Sequence, residues 1–396
     1  MKNLFGKIVC IAVVCTAGTM PLAAQYEKWN MAFGVPFLNK NGVWYSSEFE
    51  RNIRSASGIG FHGDKALRIN NRTKNPILGI SPNEIRANYT PAGQLAVIDV
   101  FFSNKGDNAD IKKIRKLIRD TARTLEKKLT GIGGTPARCD YGHRKMQNNA
   151  LKWSCGKTDI ILEYVNKEYV VLHICYPVQN VPAAMTAKKD VSVKNADVSE
   201  NVASNLFGDV YIENIPMVEQ GNKGYCVPAT VERVLRYYGI NNINMHQLAD
   251  AGNTRQGGGT SSREMFKGIS SACRRSGLKM NSPGEVRLKM IKKYIDKGIP
   301  LFWSMYSNAE YEKLRSRNRY LRERAASPQE WAEKNKKLTV SRDGDGHMCL
   351  IIGYNELSRE IAVSNSWGGA EVHPSWVPLH IAVKVSQGST VVLMPR

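Results

Sequence analysis

The segment QGNKGYCVPATVERVLRYYG, residues 220–239, decides the fold of the second half of the chain. Pro228 suits the first turn of a helix, where a missing N–H is harmless, and apolar residues at helical spacing run on to Gly239, a natural stop. The segment therefore predicts an amphipathic helix with Cys226 at its start. There the sulfur lies beside unpaired backbone N–H groups and the positive end of the helix dipole, which favours the reactive thiolate.

A thiolate that works at neutral pH needs a base, and the base needs a group that orients it. His347, in the segment DGDGHMCLIIGYN, begins an apolar strand after two Asp-Gly turns, and Asn365, in SNSWGG, ends the strand that follows. Two adjacent antiparallel strands of about eight residues bring such ends together. We therefore predict that the Asn365 oxygen accepts from the His347 imidazole and that this pair faces Cys226.

Each of these residues also has a structural interpretation. A free cysteine is more often a buried core side chain than a nucleophile, a histidine that begins a strand is more often structural, and an exposed Asn-Ser pair is usually a turn. The combination favours catalysis, because Gln220, Cys226, His347 and Asn365 follow one another at separations of 6, 121 and 18 residues. A nucleophile, a base, an orienting amide and an oxyanion donor are the parts that thiol catalysis requires.

The motifs QGNKGYC, GHMCLIIGY and NSWGG resemble those of papain-like cysteine peptidases, and VPATVERVLRYYG resembles the bacterial C39-like branch. The resemblance covers roughly residues 210–383. It implies a papain-like fold without a cofactor. It also implies one residue for each role of such a site: the nucleophile Cys226, the oxyanion donor Gln220, the general base His347, the orienting Asn365 and the shielding indole of Trp367.

The function that follows is that of an exported cysteine peptidase, which hydrolyses a polypeptide substrate through a Cys-His-Asn triad and a Gln oxyanion hole. Two alternatives stay open: a thiol amidase or acyltransferase on cell-wall or other amide substrates, and a non-catalytic papain-shaped binding protein. Tyr225 precedes the nucleophile and Val227 follows it, unlike the plant-type signature Cys-Gly-Ser-Cys-Trp. Substrate preferences of the plant-type branch therefore do not carry over.

Hydrophobic periodicity predicts an α+β protein of two domains. Residues 206–396 form the papain-like domain, with helices first, at NMHQLADAG, SSREMFKGISSACRRSG and GEVRLKMIKKYIDKG, and an antiparallel sheet afterwards. Residues 26–177 form a small α+β domain with a strand, one long helix and a hairpin turning near Asn166 and Lys167. Residues 178–205 have few large apolar side chains and read as a linker. We favour a binding or targeting module over an inhibitory prosegment for the N-terminal domain.

The first residues are typical of a secretory signal. Lys2 and Lys7 precede the apolar run IVCIAVVCTAG, and small residues follow, so we predict cleavage after Ala24 and export to the periplasm or the exterior. Loss of the two lysines lowers the formal charge from +21 to +19. That charge favours anionic surfaces as partners, but no specific nucleic acid is predicted because no recognition motif occurs. No apolar run reaches 18 residues, so no membrane span is predicted.

Eight cysteines become six after this cleavage, and none stands in a CxxC pair, so no metal site is predicted. A disulfide between Cys139 and Cys155 is one reading for an exported protein, with Cys175 as a competing partner. The glycine-rich segment RQGGGTSS, residues 255–262, lacks the Gly-Lys-Ser of a phosphate-binding loop and is expected to rim the site.

Overall fold

The computed structural model describes two packed halves of the chain. The described residues are 21–34, 38, 66–70, 76–89, 95–107, 111–142, 148–176, 198–221, 223–240, 243–255, 259–367 and 374–396. Both halves are α+β, as the sequence predicts. Within the described part of the chain, no helix combines the length and the apolar character that a bilayer crossing requires.

The described residues of the N-terminal half form an antiparallel sheet of seven strands with two helices on one face. Its elements, in chain order, are α1 Leu22–Phe33, β1 Ala66–Asn70, β2 Glu84–Tyr89, β3 Leu95–Asn104, α2 Ile111–Gly133, β4 Ala137–Tyr141, β5 Asn148–Cys155, β6 Thr158–Val165 and β7 Tyr169–Cys175. The strand order across the sheet is β1-β2-β3-β7-β6-β5-β4. The predicted hairpin is confirmed, since β6 and β7 pair in antiparallel fashion and Lys167 lies in the turn between them with a φ of 73°.

Alternation along each strand gives this sheet two different faces. Ile98 and Val100 of β3 join the core under α2, whose apolar stripe includes Ile118 and Leu125 at helical spacing. Asp99, between the two β3 core residues, points to the opposite face. That second face is rich in charge and packs against the C-terminal half.

The predicted signal segment lies outside the described residues as far as residue 20. Its last residues, from Leu22, open helix α1. Among the side chains of that helix whose burial the structure describes, the large buried ones, Tyr26, Trp29 and Phe33, follow Ala24. Cleavage after Ala24 would therefore leave the core of the N-terminal half intact.

The disulfide reading does not hold, because the six cysteines of the described residues are free. In the sheet register Cys139 pairs with Ala150, an odd number of residues from Cys155, so the two thiols point to opposite faces. Cys155 pairs with Thr158, and Cys175 pairs with the next residue, Asp159. The thiols of Cys155 and Cys175 therefore also point to opposite faces of the sheet.

The C-terminal half is an eight-stranded antiparallel sheet with helices on both faces. Its elements are β8 Val202–Ser204, β9 Asp209–Ile212, α3 Cys226–Tyr237, α4 Met245–Ala251, α5 Ser262–Arg275, β10 Leu278–Gly284, α6 Leu288–Ile295, β11 Leu301–Ser307, α7 Ala309–Leu321, α8 Pro328–Asn335, β12 Asp345–Asn355, β13 Glu360–Ser364, β14 Ser375–Pro378, α9 Leu379–Val385 and β15 Thr390–Pro395. The strand order is β10-β15-β11-β12-β13-β14, with β9 paired to β12 and β8 to β9.

The central strand β12 separates two apolar clusters. Met348, Leu350 and Ile352 pack against α3, α4 and α5. Cys349 and Ile351 alternate with them and pack against α6, α7 and α9 on the other face. The strand thus carries α3 on one side, which brings the start of that helix to the beginning of β12.

One detail of the predicted organisation is wrong. The linker, 178–205, lies outside the described residues as far as residue 197, but its last part forms β8, which pairs with β9 in the second sheet. The polar residues of 198–205 gave no apolar signal, because β8 contributes backbone pairing and not core side chains. The C-terminal half opens with the short strands β8 and β9, most of its helices precede the long strand β12, and β10 and β11 lie between helices.

Candidate active site

Cys226 is the first residue of α3, and its side chain lies in a buried position with 9% exposure. Burial raises the pKa of the Cys226 thiol above its usual value, although backbone hydrogen bonds from Met348, Val227 and Cys226 itself act in the opposite direction. The backbone N–H groups at the start of the helix thus favour the thiolate, as expected, but burial outweighs them. A thiol in this position needs a proton acceptor beside it to become a nucleophile.

His347 and Asn365 meet as the sequence predicts. His347 is the third residue of β12 and Asn365 directly follows β13, and the two strands pair with Leu350 opposite Ser364. The imidazole Nε2 lies 2.8 Å from Asn365 Oδ1. Since an amide oxygen can only accept, Nε2 carries the hydrogen, which assigns Nδ1 as the acceptor of the neutral ring.

An indole covers the imidazole. The ring centroid of Trp367 lies 4.7 Å from that of His347, with the ring planes tilted by 34°. The Arg315 guanidinium lies 5.3 Å from the same indole centroid. Because the His347–Asn365 pair is buried beside this ring, its hydrogen bond is stronger than a solvent-exposed one.

Cys226 and His347 line one cavity of about 500 Å³. Most of its other lining is polar and includes Asn253, Arg255 and Glu264. Part of the glycine-rich segment also lines it, at Arg255 and at residues 259–262, so the expectation that this segment rims the site is confirmed for those residues. Residues 256–258 lie outside the described part.

Gln220 lies beside the Asn365 segment and not in the lining of this cavity. Its backbone N–H donates to the Ser366 carbonyl at 2.8 Å, and its side-chain Oε1 accepts from the Ser366 hydroxyl at the same distance. The side-chain oxygen is thereby engaged, so the NH₂ group is the end of the amide that can donate to another group.

One buried residue that the sequence does not reveal ties these parts together. Arg233, on α3, is 1% exposed and donates to the carbonyls of Ser364 and Asn365 at 3.1 and 2.8 Å. Its Nε donates to the Pro216 carbonyl at 2.8 Å, on the segment that leads to Gln220. The helix of Cys226 is thus bonded directly to the strand end that holds Asn365.

We expect Arg233→Met to lower the free energy of unfolding by about 3 kcal/mol, because several buried carbonyls lose their donor and each is costly to leave unpaired. Urea unfolding followed by circular dichroism measures this. The exposed Arg274 at the end of α5 provides the control, and Arg274→Met should change stability by less than about 0.5 kcal/mol. Equal effects of the two substitutions would contradict the role given to Arg233.

In the described part of the chain, no group of three His, Cys, Asp or Glu side chains is placed to hold a metal ion. A thiol and an imidazole line one cavity, and the Asn365 amide orients that imidazole. These are the groups of thiol-based acyl transfer, in which the protein's own side chains move the proton.

Comparison with known proteins identifies a family that the C-terminal half resembles. Residues 212–378 match the model of the Peptidase_C39 like family. No curated protein matches the chain. The crystal structure of a proposed C39-like peptidase from Bacillus anthracis is similar at 14% identity and a TM-score of 0.32, over 48% of this chain and 98% of that one. The resemblance to C39-like peptidases is thereby confirmed for the C-terminal half of the chain.

Proposed function

We propose that the chain is an exported cysteine peptidase, with Cys226 as the nucleophile, His347 as the general base and acid, and Asn365 as the group that orients the imidazole. The observation that carries the proposal is the 2.8 Å contact between His347 Nε2 and Asn365 Oδ1 at the wall of the cavity that Cys226 also lines. That contact fixes the tautomer that a base needs and aims the other ring nitrogen away from Asn365.

The reaction begins when His347 Nδ1 takes the proton of the Cys226 thiol. The thiolate attacks the carbonyl carbon of the peptide bond, and a tetrahedral oxyanion forms. His347 returns the proton to the leaving amine as the C–N bond breaks, which leaves a thioester on Cys226. His347 then removes a proton from water, whose oxygen attacks the thioester and releases the acid and the thiol.

The oxyanion of each tetrahedral step needs hydrogen-bond donors. We assign this role to the Gln220 side-chain NH₂ and the backbone N–H of Cys226, because Ser366 already holds the Gln220 oxygen. A donor aimed at the developing charge stabilises the transition state more than the bound substrate. Its removal therefore lowers kcat more than it changes KM.

We expect Gln220→Ala to lower kcat by about a hundredfold, as the loss of one oxyanion donor typically does. Gln387 offers the control, since it is also a glutamine near the nucleophile: it lines the cavity of Cys226 and His347, and its amide donates to the Met305 carbonyl. Gln387→Ala should lower kcat by less than about threefold. Steady-state kinetics of both variants on one peptide substrate decides this, and a Gln220→Ala enzyme with full kcat would remove Gln220 from the oxyanion hole.

Incubation of the purified mature protein with unfolded casein tests the activity itself. Mass spectrometry should find new peptide termini, and alkylation of Cys226 by iodoacetamide beforehand should abolish them. The same products distinguish the alternatives: transfer of the acyl group to an added amine in preference to water indicates an acyltransferase. Casein that stays intact while it binds indicates a papain-shaped binding protein.

The export part of the proposal rests on the sequence of residues 1–24 and on the large buried side chains described for α1, which follow Ala24. Expression in a secreting host should give a mature chain that begins at Gln25. Intact-protein mass spectrometry measures this. A chain recovered from the cell interior with residues 1–24 still attached would contradict it.

A further inference from the structure

Charged residues of the N-terminal half contact the loop that leads from Gln220 to Cys226. Lys223 in this loop is 5% exposed, and its ammonium lies 3.2 Å from Asp107 Oδ1 and 3.5 Å from Glu84 Oε2. Glu84 begins β2, and Asp107 ends the helical turn Lys105–Asp107 that follows β3. A buried lysine is stable only when it is paired, so this loop conformation depends on carboxylates from the other half of the chain.

The residue directly before the nucleophile is anchored at the same turn. Tyr225 is 1% exposed, and the backbone of Gly106 forms a hydrogen bond with its phenol. The approach is so close that a Cβ on Gly106 would lie 2.7 Å from Lys223 Cβ and 2.9 Å from Tyr225 Cζ. Only glycine leaves room for this contact, since real Cβ atoms do not come so near to other atoms.

The contact continues along the helix of Cys226. The guanidinium of Arg86 in β2 lies 2.5 Å from the carboxylate of Glu232 in α3. One turn further along α3, the guanidinium of Arg236 donates to the Asn88 side-chain oxygen at 3.0 Å. Three alternate residues of β2 therefore contact the C-terminal half in order: Glu84 contacts the loop, and Arg86 and Asn88 contact α3. All of these side chains are buried, so separation of the two halves would expose or unpair charges on both.

In the part of the chain that the structure describes, the contacts of the N-terminal half lie away from the cavity of Cys226 and His347. Every described residue that lines this cavity belongs to the C-terminal half. Among the described residues, the N-terminal contacts instead reach the loop of Lys223 and the buried side of α3.

We propose that the N-terminal half is a permanent part of the catalytic apparatus, in which the turn Lys105–Asp107 fixes the loop of residues 220–226 through the positioning residues Lys223 and Tyr225. This inference rests on the proposed function. Among the described residues, the contacts of the turn with the C-terminal half reach the loop, which carries both assigned oxyanion donors. Its effect is therefore on the step that forms the oxyanion.

The test compares variants on the two sides of this contact. Gly106→Ala places a methyl group against the loop, and Gly131→Ala is its matched control, because a Cβ on Gly131 in α2 meets nothing within 4 Å. Tyr225→Phe removes only the phenol oxygen and keeps the ring. Lys223→Met removes the ammonium, and Lys223→Arg restores a cation.

We expect Gly106→Ala and Lys223→Met to lower kcat by about tenfold or more with KM within about twofold, while Gly131→Ala keeps the wild-type kcat. Tyr225→Phe should lower kcat by a smaller factor, and Lys223→Arg should recover most of the loss. Parallel losses of kcat in Gly106→Ala and Gly131→Ala would overturn the proposal, as would full kcat in Lys223→Met.

Amide hydrogen exchange gives a readout that needs no activity. The Gln220 amide, which donates to the Ser366 carbonyl, should exchange about tenfold faster in Gly106→Ala and Lys223→Met than in the wild type and Gly131→Ala. Unchanged exchange in both loop variants would overturn the proposal. Faster exchange in a protein that never hydrolyses peptides would instead reject the proposed function and leave the positioning role in place.

Cleavage at a protease site inserted within residues 178–197 tests whether the N-terminal half is a permanent part of the enzyme or a removable one. We expect the two fragments to elute together in gel filtration with unchanged kcat. Dissociation of the fragments with retained activity, or a rise in turnover when they separate, would overturn the proposal.

Discussion

Cys226→Ala is expected to lower kcat/KM for a peptide substrate by at least about 10⁴-fold, because no other group forms the thioester and only binding and oxyanion stabilisation remain. The fold should survive this change. The thiol is a small side chain at the cavity wall, so its loss creates little new empty volume in the core. Circular dichroism and urea unfolding verify that the variant is folded before its kinetics are compared.

Cys349→Ala is the matched control for this experiment. Cys349 lies on the same strand as His347 but packs in the core on the other face of the sheet, with 1% exposure. Burial raises the pKa of its thiol well above the usual value, so it stays protonated. We expect Cys349→Ala to lower stability by about 1 kcal/mol and to leave kcat unchanged. Activity that survives Cys226→Ala and falls with Cys349→Ala would contradict the assignment of the nucleophile.

His347→Ala is expected to have the second largest effect, a loss of about 10³-fold to 10⁴-fold in kcat. Without the imidazole, the raised pKa of Cys226 keeps the thiol protonated at neutral pH, and the leaving amine receives no proton. Asn365→Ala leaves the imidazole in place but removes the acceptor that fixes its tautomer, so its effect should be smaller.

The two losses should not add. If Cys226 and His347 act as one unit, the variant that carries both substitutions should be no slower than Cys226→Ala alone. Steady-state kinetics of the three variants on one substrate completes this cycle. A double variant that is slower by the product of the single losses would show that the two residues act in separate steps.

The sequence was sufficient for the parts of the site that depend on local patterns. Pro228 marks the start of the Cys226 helix, and α3 begins at Cys226 as a result. The apolar strand of His347 and the strand that follows it place the imidazole beside Asn365, although Asp345 and Gly346 belong to β12 and do not form the predicted turn. These features follow from spacing along neighbouring elements, which a sequence contains directly.

Contacts between distant segments were not predictable in this way. Helical periodicity assigns one face of α3 to the core and the other to water, but Glu232, Arg233 and Arg236 are also buried. Their partners lie on β2, in the segment before Gln220 and at the end of β13. No local pattern tells a solvated arginine from one that binds a carbonyl a hundred residues away.

The direction of the Cys226 pKa shift could not be predicted from the sequence for a similar reason. The dipole of α3 is visible in the sequence, but the depth at which the thiol is buried is not. Gly106 is a second case. Its backbone conformation is ordinary, and only its distance from Lys223 and Tyr225 shows why no side chain fits there.

The most direct test of the central claim is the rate of Cys226 alkylation by iodoacetamide between about pH 5 and pH 9 in the wild type and in His347→Ala, with the adduct located by mass spectrometry. Burial raises the Cys226 pKa, so an unassisted thiol reacts only as the pH rises past its usual pKa. We predict that the wild type already reacts near pH 6, because His347 accepts the proton, and that His347→Ala reacts only at alkaline pH. Identical profiles for the two proteins would contradict the pairing of Cys226 with His347.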